Sequence, residues 1–253
     1  MTIVTTLALG ISLAQSPAFE VATIKPSTPD RRGRFITMQS AHQFVATNYT
    51  LRYMVAAAYN LPPRLISGGP SWSDSDPYDI LAATPGEKRP SLDEQMSMLR
   101  NLLNDRFKLT FHREQKELPV YTLITGKAGV KLKESAAAPD ESPVLVNQVF
   151  PSEKILLPAR NATMAQFASM LQRAVLDRPV LDKTDLSGRY DFDLEWTPDE
   201  TQFGGNLPPI NPDNANKPGL FAALQQQLGL RLESGRGQVD VIVIDSVERP
   251  SEN

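Results

Sequence analysis

Asn48-Tyr49-Thr50 and Asn161-Ala162-Thr163 open the two stretches on which the fold turns. Each triplet begins a run with helical apolar spacing, and each run leads to a Tyr-Asp pair, Tyr78-Asp79 in the first and Tyr190-Asp191 in the second. Thr84-Pro85 and Thr197-Pro198 follow, and all these landmarks are offset by 112–113 residues. A further set of echoes, offset by 121, matches Phe107, Leu109, Phe111, Val120 and Leu123 with Leu228, Leu230, Leu232, Val241 and Ile244. Recurrence at a domain-sized interval predicts two similar units, each about 100–120 residues long. The expected spans are 16–135 and 136–253. A copied unit fixes architecture without fixing chemistry.

Working outward, Thr50 is an expected N-cap, with Leu51, Met54, Val55 and Ala58 on one helical face and Pro62-Pro63 as the stop. Ser91-Leu92-Asp93-Glu94 is a capping box: the serine oxygen accepts from the N3 amide and Glu94 reaches back to the cap. Leu92, Met96, Leu99, Leu102 and Leu103 continue as an apolar stripe. Thr163 with Gln166 repeats the box ahead of Phe167, Met170, Leu171 and Ala174. Strands are expected at Phe19–Ile24, within Phe35–Ala46, at Tyr78–Ala83 and at Arg189–Trp196. Each unit closes in an expected hairpin. The first is Leu109–Phe111 and Val120–Ile124 around a polar turn at Glu114–Glu117; the second is Leu230–Leu232 and Val239–Ile244 around Gly235-Arg236-Gly237. Ala136–Pro143 reads as a linker and Asp199–Gly219 as a long loop. The sum is an α+β fold of two tandem similar units, each a mostly antiparallel sheet with helices packed on one face.

Composition narrows the classes of function. With 41% hydrophobic residues in 253, the chain has enough apolar material for cores that need no staples. A net charge of −3, without a basic stripe, argues against a nucleic-acid partner. No stretch reads as a membrane-spanning helix of about 20 apolar residues. With no cysteine, thiolate nucleophiles, disulfides and Cys-ligated metals are excluded. Ile3–Leu13 is apolar and rich in small residues, and Ser12-Leu13-Ala14 precedes Gln15 with a small-x-small signature. Residues 1–15 are therefore expected to be a secretory leader lacking the usual basic start, and the chain to be exported to the periplasm or beyond.

Three places carry candidate chemistry. In Asp191-Phe192-Asp193-Leu194-Glu195-Trp196, strand periodicity puts Asp191, Asp193 and Glu195 on one face. Three like charges in a row repel, and Ca²⁺, which takes several oxygen ligands, would relieve them; Asp182, Asp185 and Asp199 are near in sequence. The simpler reading of such alternation is a solvated face over a buried one. In Gly68-Gly69-Pro70-Ser71-Trp72, glycines open the backbone to a ligand on which Trp72 could stack, with Tyr78 close by. The simpler reading there is a tight turn whose Trp packs on the core. The two histidines, His42 and His112, form no metal pair or recognisable triad, and no Gly-x-Ser-x-Gly elbow supports Ser67 or Ser71 as a nucleophile. Asn48-x-Thr50 and Asn161-x-Thr163 match the glycosylation sequon but read better as helix capping.

Phe19-Glu20-Val21-Ala22 through Lys25-Pro26, Gly68-Gly69-Pro70-Ser71-Trp72, Arg178-Pro179-Val180 through Gly188-Arg189-Tyr190-Asp191, and Gln227-Leu228-Gly229-Leu230 together resemble one family. It is an uncharacterised, soil-associated family abundant in acidobacteria, built on a domain of unknown function. The resemblance covers the chain after the leader and implies export; it brings no catalytic residues. Some relatives fuse this domain to a membrane metallopeptidase of the antibiotic-sensor type, a part this sequence does not show. Each half also resembles, more weakly, the short N-terminal interaction domain of secretins and TonB-dependent receptors. The expected function is an exported, non-catalytic binding module for a cell-envelope component, peptide or protein partner, with no cofactor. The alternative is a Ca²⁺-assisted hydrolase of an ester or lactone, with Asp191, Asp193 and Glu195 holding the ion.

Overall fold

A computed structural model describes residues 17–28, 33–138, 141–150, 154–205, 207 and 218–250. The expected leader lies outside them. The chain runs through strands β1 (Val21–Pro26), β2 (Phe35–Met38) and β3 (Gln43–Thr50), helix α1 (Leu51–Ala58), strand β4 (Ile66–Gly68), helix α2 (Trp72–Ser75), strand β5 (Pro77–Ala83) and helix α3 (Leu92–Phe107). It continues through the long strand β6 (Thr110–Thr125), short strands β7 (Lys133–Glu134), β8 (Val144–Leu145) and β9 (Gln148–Phe150), and strand β10 (Lys154–Ala162). Helix α4 (Met164–Met170), strands β11 (Val180–Asp182) and β12 (Tyr190–Trp196), helix α5 (Leu220–Ala223) and strand β13 (Leu230–Ser246) complete it. This is α+β with mostly antiparallel pairing, as the periodicities predict. No helix among the described residues is long and apolar enough to cross a membrane.

Two compact units emerge, each discontinuous in sequence: one from the described parts of 1–59, 68–111 and 244–253, the other from 60–67 and 112–243. In the first, the sheet order is β1–β5–β3–β2, antiparallel throughout. Phe44, Ala46, Ile80 and Ala82 point inward and are buried with Leu51, Met54, Leu99, Leu103 and Phe107 from α1 and α3. The capping box at Ser91 and Glu94 forms as expected and starts the 16-residue α3. In the second unit, β7–β12–β10–β8 make a sheet in which β9 also pairs with β10. Its core gathers Ile155, Leu157, Phe167, Leu171, Leu194, Trp196, Leu224 and Leu230. The Thr163–Gln166 box starts α4. Helices α4 and α5 each widen into a π-helical turn, Leu171–Val175 and Leu224–Leu228.

The two expected closing hairpins do not form. Thr110–Thr125 and Leu230–Ser246 are each one uninterrupted strand, and the two pair with each other in the sheet β11–β6–β13–β4. Gln115 bonds Asp240 and Arg236 bonds Glu117, in opposite sequence order as antiparallel neighbours must. A two-residue hairpin needs a left-handed backbone at its turn. Neither Gly235 nor Gly237 adopts it. Gly237 instead answers to close packing, since a Cβ there would lie 2.7 Å from Leu181 Cδ1. At Glu114–Glu117 no turn-forming residue interrupts the strand. Polar composition alone therefore suggested a turn where a solvent-facing strand runs.

Candidate functional site

The acidic strand β12 alternates as its sequence predicts, with Tyr190, Phe192, Leu194 and Trp196 buried and the carboxylates on the opposite face. Those carboxylates do not converge. Asp193 pairs with Arg160 at 2.8 Å and Glu195 with Lys154 at 3.0 Å, both cations coming from the neighbouring β10. Asp191 accepts the Asn161 backbone N–H at 2.9 Å. Two of the other acids considered with them are also engaged. Asp182 accepts from the backbone and hydroxyl of Thr184, while Asp199 accepts from Thr201 and Gln202. Asp185 sits in a left-handed turn. Among the described residues, no three His, Asp or Glu side chains come together in an arrangement suited to a metal ion.

Asp191 belongs to a polar node that occurs twice. In β3, Asn48 adopts φ 58° where the register with β5 shifts, and its N–H donates to Asp79 Oδ1 at 2.9 Å. In β10, Asn161 adopts φ 52° where the register with β12 shifts, and its N–H donates to Asp191 Oδ1 at 2.9 Å. A hydroxyl belongs to each node: Ser27 donates to Asp79 at 2.6 Å, and the Ser135 hydroxyl favours the ionised Asp191. The backbone N–H groups of Ser27 and Ser135 bond the carbonyls of Pro77 and Arg189, which lie 112 residues apart like the aspartates. The asparagine amides fasten the chain beyond each serine, Asn48 to the Gly33 carbonyl and Asn161 to those of Ala138 and Glu141. The Asn-x-Thr signature thus marks a bulge followed by a helix start. Asn tolerates the left-handed conformation, and the threonine two residues on holds the N-cap position, Thr163 accepting the Gln166 N–H and Thr50 making no side-chain cap bond.

The serines of the node were missed in the sequence. Ile24-Lys25-Pro26-Ser27 and Leu132-Lys133-Glu134-Ser135 were the available signal, at an offset of 108. Lys25 stands opposite Asp79, and Lys133 opposite Asp191.

The Asn161 N–H, then the Ser135 hydroxyl, hold the Asp191 carboxyl below the ordinary aspartate range. A depressed folded-state value means that the stabilisation is present above the unfolded value and is lost as pH falls through the folded one. Asp191→Ala is expected to be clearly less stable than the parent at pH 7. The gap should narrow below about pH 4, where ordinary aspartates protonate. Urea denaturation at both pH values checks this, and a gap independent of pH would contradict the node.

The Gly68–Trp72 segment has another geometry from the open loop its glycines suggest. Gly68 and Gly69 take φ 75° and 77°, and a Cβ on Gly68 would meet the Ile244 carbonyl at 2.5 Å. Gly68 admits a close backbone approach to β13. Trp72 begins the short helix α2 and lies 6.5 Å, edge to face, from Tyr78, which in turn meets Phe107 edge to face at 5.5 Å. Around them Arg52 forms a fork to Asp74, Arg249 pairs with Asp76, and the Arg249 guanidinium lies 5.0 Å over the Trp72 ring. Tyr78 is buried in the core and adds a minor electrostatic pull on Arg249. Arg249 has no counterpart among the candidates read from sequence, because 173 residues separate it from Asp76.

His112 is on the exposed side of β6 and pairs with Glu114 at 3.0 Å; His42 is exposed just ahead of β3. Ser71 precedes α2 and caps nothing. A depression of about 210 Å³, lined by the start of β1 and by Met98, Asn101, Asp105 and Arg106 of α3, is smaller than the roughly 300–1,000 Å³ of small-molecule pockets.

A family model described as "Protein of unknown function (DUF3738)" matches residues 52–247. No curated protein and no solved structure matches the chain.

Proposed function

The chain belongs to the DUF3738 family of unknown function, and from that premise we propose that it is an exported, non-catalytic module that binds a cell-envelope protein by strand addition. The observation that carries this reading is an apolar sheet edge in the second unit that no further strand covers among the described residues. Val144, Val146, Val149 and Phe150 are 45%, 55%, 43% and 39% exposed, and they fall on and between the edge strands β8 and β9. An exposed edge carries unpaired N–H and C=O groups and accepts another strand unless it is blunted. The opposite edge of the same sheet is closed. There β7 pairs with the start of β12, and the Gln227 amide takes both the N–H and the C=O of Glu195 at 3.0 and 2.7 Å, as a neighbouring strand would. One edge is sealed by a side chain while the other exposes valines and a phenylalanine. The partner that fits is an extended segment with apolar residues at alternate positions.

The twice-built Asn–Asp–Ser node supports the tandem copying of one ancestral unit, a history suited to a scaffold. The hydrolase alternative draws little support from an acidic strand whose carboxylates each face a separate donor.

Site-specific photo-crosslinking tests the proposal, with the crosslinker at position 149 and, as control, at the exposed Leu92 of α3. The expected result is a discrete envelope protein joined through an extended segment at 149 and not at 92. The double variant Val149→Lys, Phe150→Lys should lose it while keeping its circular dichroism spectrum. Equal labelling at both positions, or labelling indifferent to the lysines, would overturn it.

A further inference from the structure

We propose that Trp72, Asp76 and Tyr78 form a binding site for a guanidinium or ammonium side chain of a partner polypeptide, and that Arg249 occupies this site in cis. The site is separate from the β8–β9 edge and stands on its own geometry. Three kinds of group converge there. The indole of Trp72 offers its face, with the cation 5.0 Å from the centroid; indole is the best side-chain acceptor for such a contact. Asp76 supplies the opposite charge, its carboxylate oriented by the Ser75 hydroxyl at 2.7 Å. Tyr78, buried beside Trp72, adds a weaker electrostatic pull on the guanidinium from a third side. Trp72 and Tyr78 are set edge to face, and Tyr78 is fixed on Phe107, so the receptor side is held by the core.

The occupant is held differently. Arg249 belongs to an irregular segment beyond β13, and its side chain is more than half exposed. That segment is tied to the unit by the Glu248 N–H, which donates to the Phe107 carbonyl at 2.7 Å. Other arginines of this chain also lie on aromatic rings, Arg34 on Tyr53 and Arg100 on Tyr59. Over Trp72 the guanidinium meets a ring, a carboxylate and a phenol together, and it arrives from 173 residues away. A preformed aromatic and anionic receptor filled by an exposed side chain of the same molecule is the geometry of a self-ligand. An external arginine would make the same contacts once Arg249 withdraws.

The experiment uses the full chain and two variants, Arg249→Ala and Arg249→Gln. Nα-acetyl-arginine amide is titrated against each, with the uncharged citrulline analogue as comparator. The Trp72 indole resonance reports binding, and that of the buried Trp196 is the internal reference. Both variants should bind the arginine amide saturably, with Kd on the order of 1–10 mM for so small a ligand. The parent should need about twofold more, because Arg249 competes at a millimolar effective concentration, comparable with that Kd. The citrulline analogue should leave Trp72 unmoved, and adding Asp76→Asn to Arg249→Gln should abolish saturation. The proposal is overturned if folded variants show no saturable shift, or if citrulline and arginine act alike. It is equally overturned if neither variant folds, since Arg249 would then be a structural strut.

Discussion

Trp196→Ala should destabilise the second unit by about 3–5 kcal/mol, the usual cost of deleting a fully buried aromatic side chain. Trp196 is wholly buried at the end of β12, within the core formed by Leu194, Leu220 and Leu224. Its ring stacks on Phe203 at 6.4 Å, with planes 9° apart. Its indole N–H donates to Gln202 Oε1 at 2.8 Å, and the Gln202 amide is itself buried and donates to Asp199 at 2.8 Å. Trp196→Phe separates the two contributions. It keeps most of the packing and strands the Gln202 oxygen, for about 1–3 kcal/mol. Urea midpoints rank the three proteins, and a Trp196→Ala midpoint within error of the parent would contradict the assigned core. Far-UV circular dichroism is the probe, because Trp72, the other tryptophan of the chain, lies in the first unit.

Gly229→Ala is expected to be the most damaging glycine substitution in the second unit. Gly229 ends the helical run at φ 68°, where an L side chain costs about 1–2 kcal/mol. Conformation is the smaller part of the reason for glycine here. Lys108 holds the matching position after α3, at an offset of 121, and adopts φ 51° with a full side chain. What differs is the neighbour. A Cβ on Gly229 would stand 2.1 Å from the Gly129 carbonyl oxygen, in a loop already fixed by the Gly126 N–H on the Gly229 carbonyl and the Lys131 N–H on the Leu228 carbonyl. Relieving that overlap moves backbone and adds about 1–3 kcal/mol. Gly86→Ala is the control. Gly86 has φ 80° and nothing within 4 Å of a built Cβ, so it should show the conformational cost alone. Equal losses at the two glycines, measured by denaturation, would show that the close approach carries no energy.

The helices were legible because their signals are local. Both capping boxes and the alternation of β12 involve residues within a few positions of one another and formed as read; of the α3 stripe Leu99, Leu102 and Leu103 are buried, while Leu92 is exposed and Met98 is buried where Met96 was expected. The candidate sites were legible as residues and not as constellations. The pattern in β12 correctly put three carboxylates on one face but could not show Arg160, Lys154 and Asn161 opposite them. Gly68-Gly69 announced a special backbone without showing that Ile244 was what approached it.

By itself, the sequence determined the α+β class, the starts of α1, α3 and α4 and the spacing of the recurrent Asn, Tyr and Asp. These follow from steric preference and apolar periodicity along a few turns of chain. Only the tertiary structure decided that Thr110–Thr125 and Leu230–Ser246 pair with each other instead of each folding back, and that Ser27 and Ser135 belong to the two aspartate nodes. It likewise placed Arg249 over Trp72. The reason is physical: a polar stretch such as Glu114–Glu117 suits a turn and a solvated strand equally well. The choice rests on hydrogen-bond partners more than a hundred residues away.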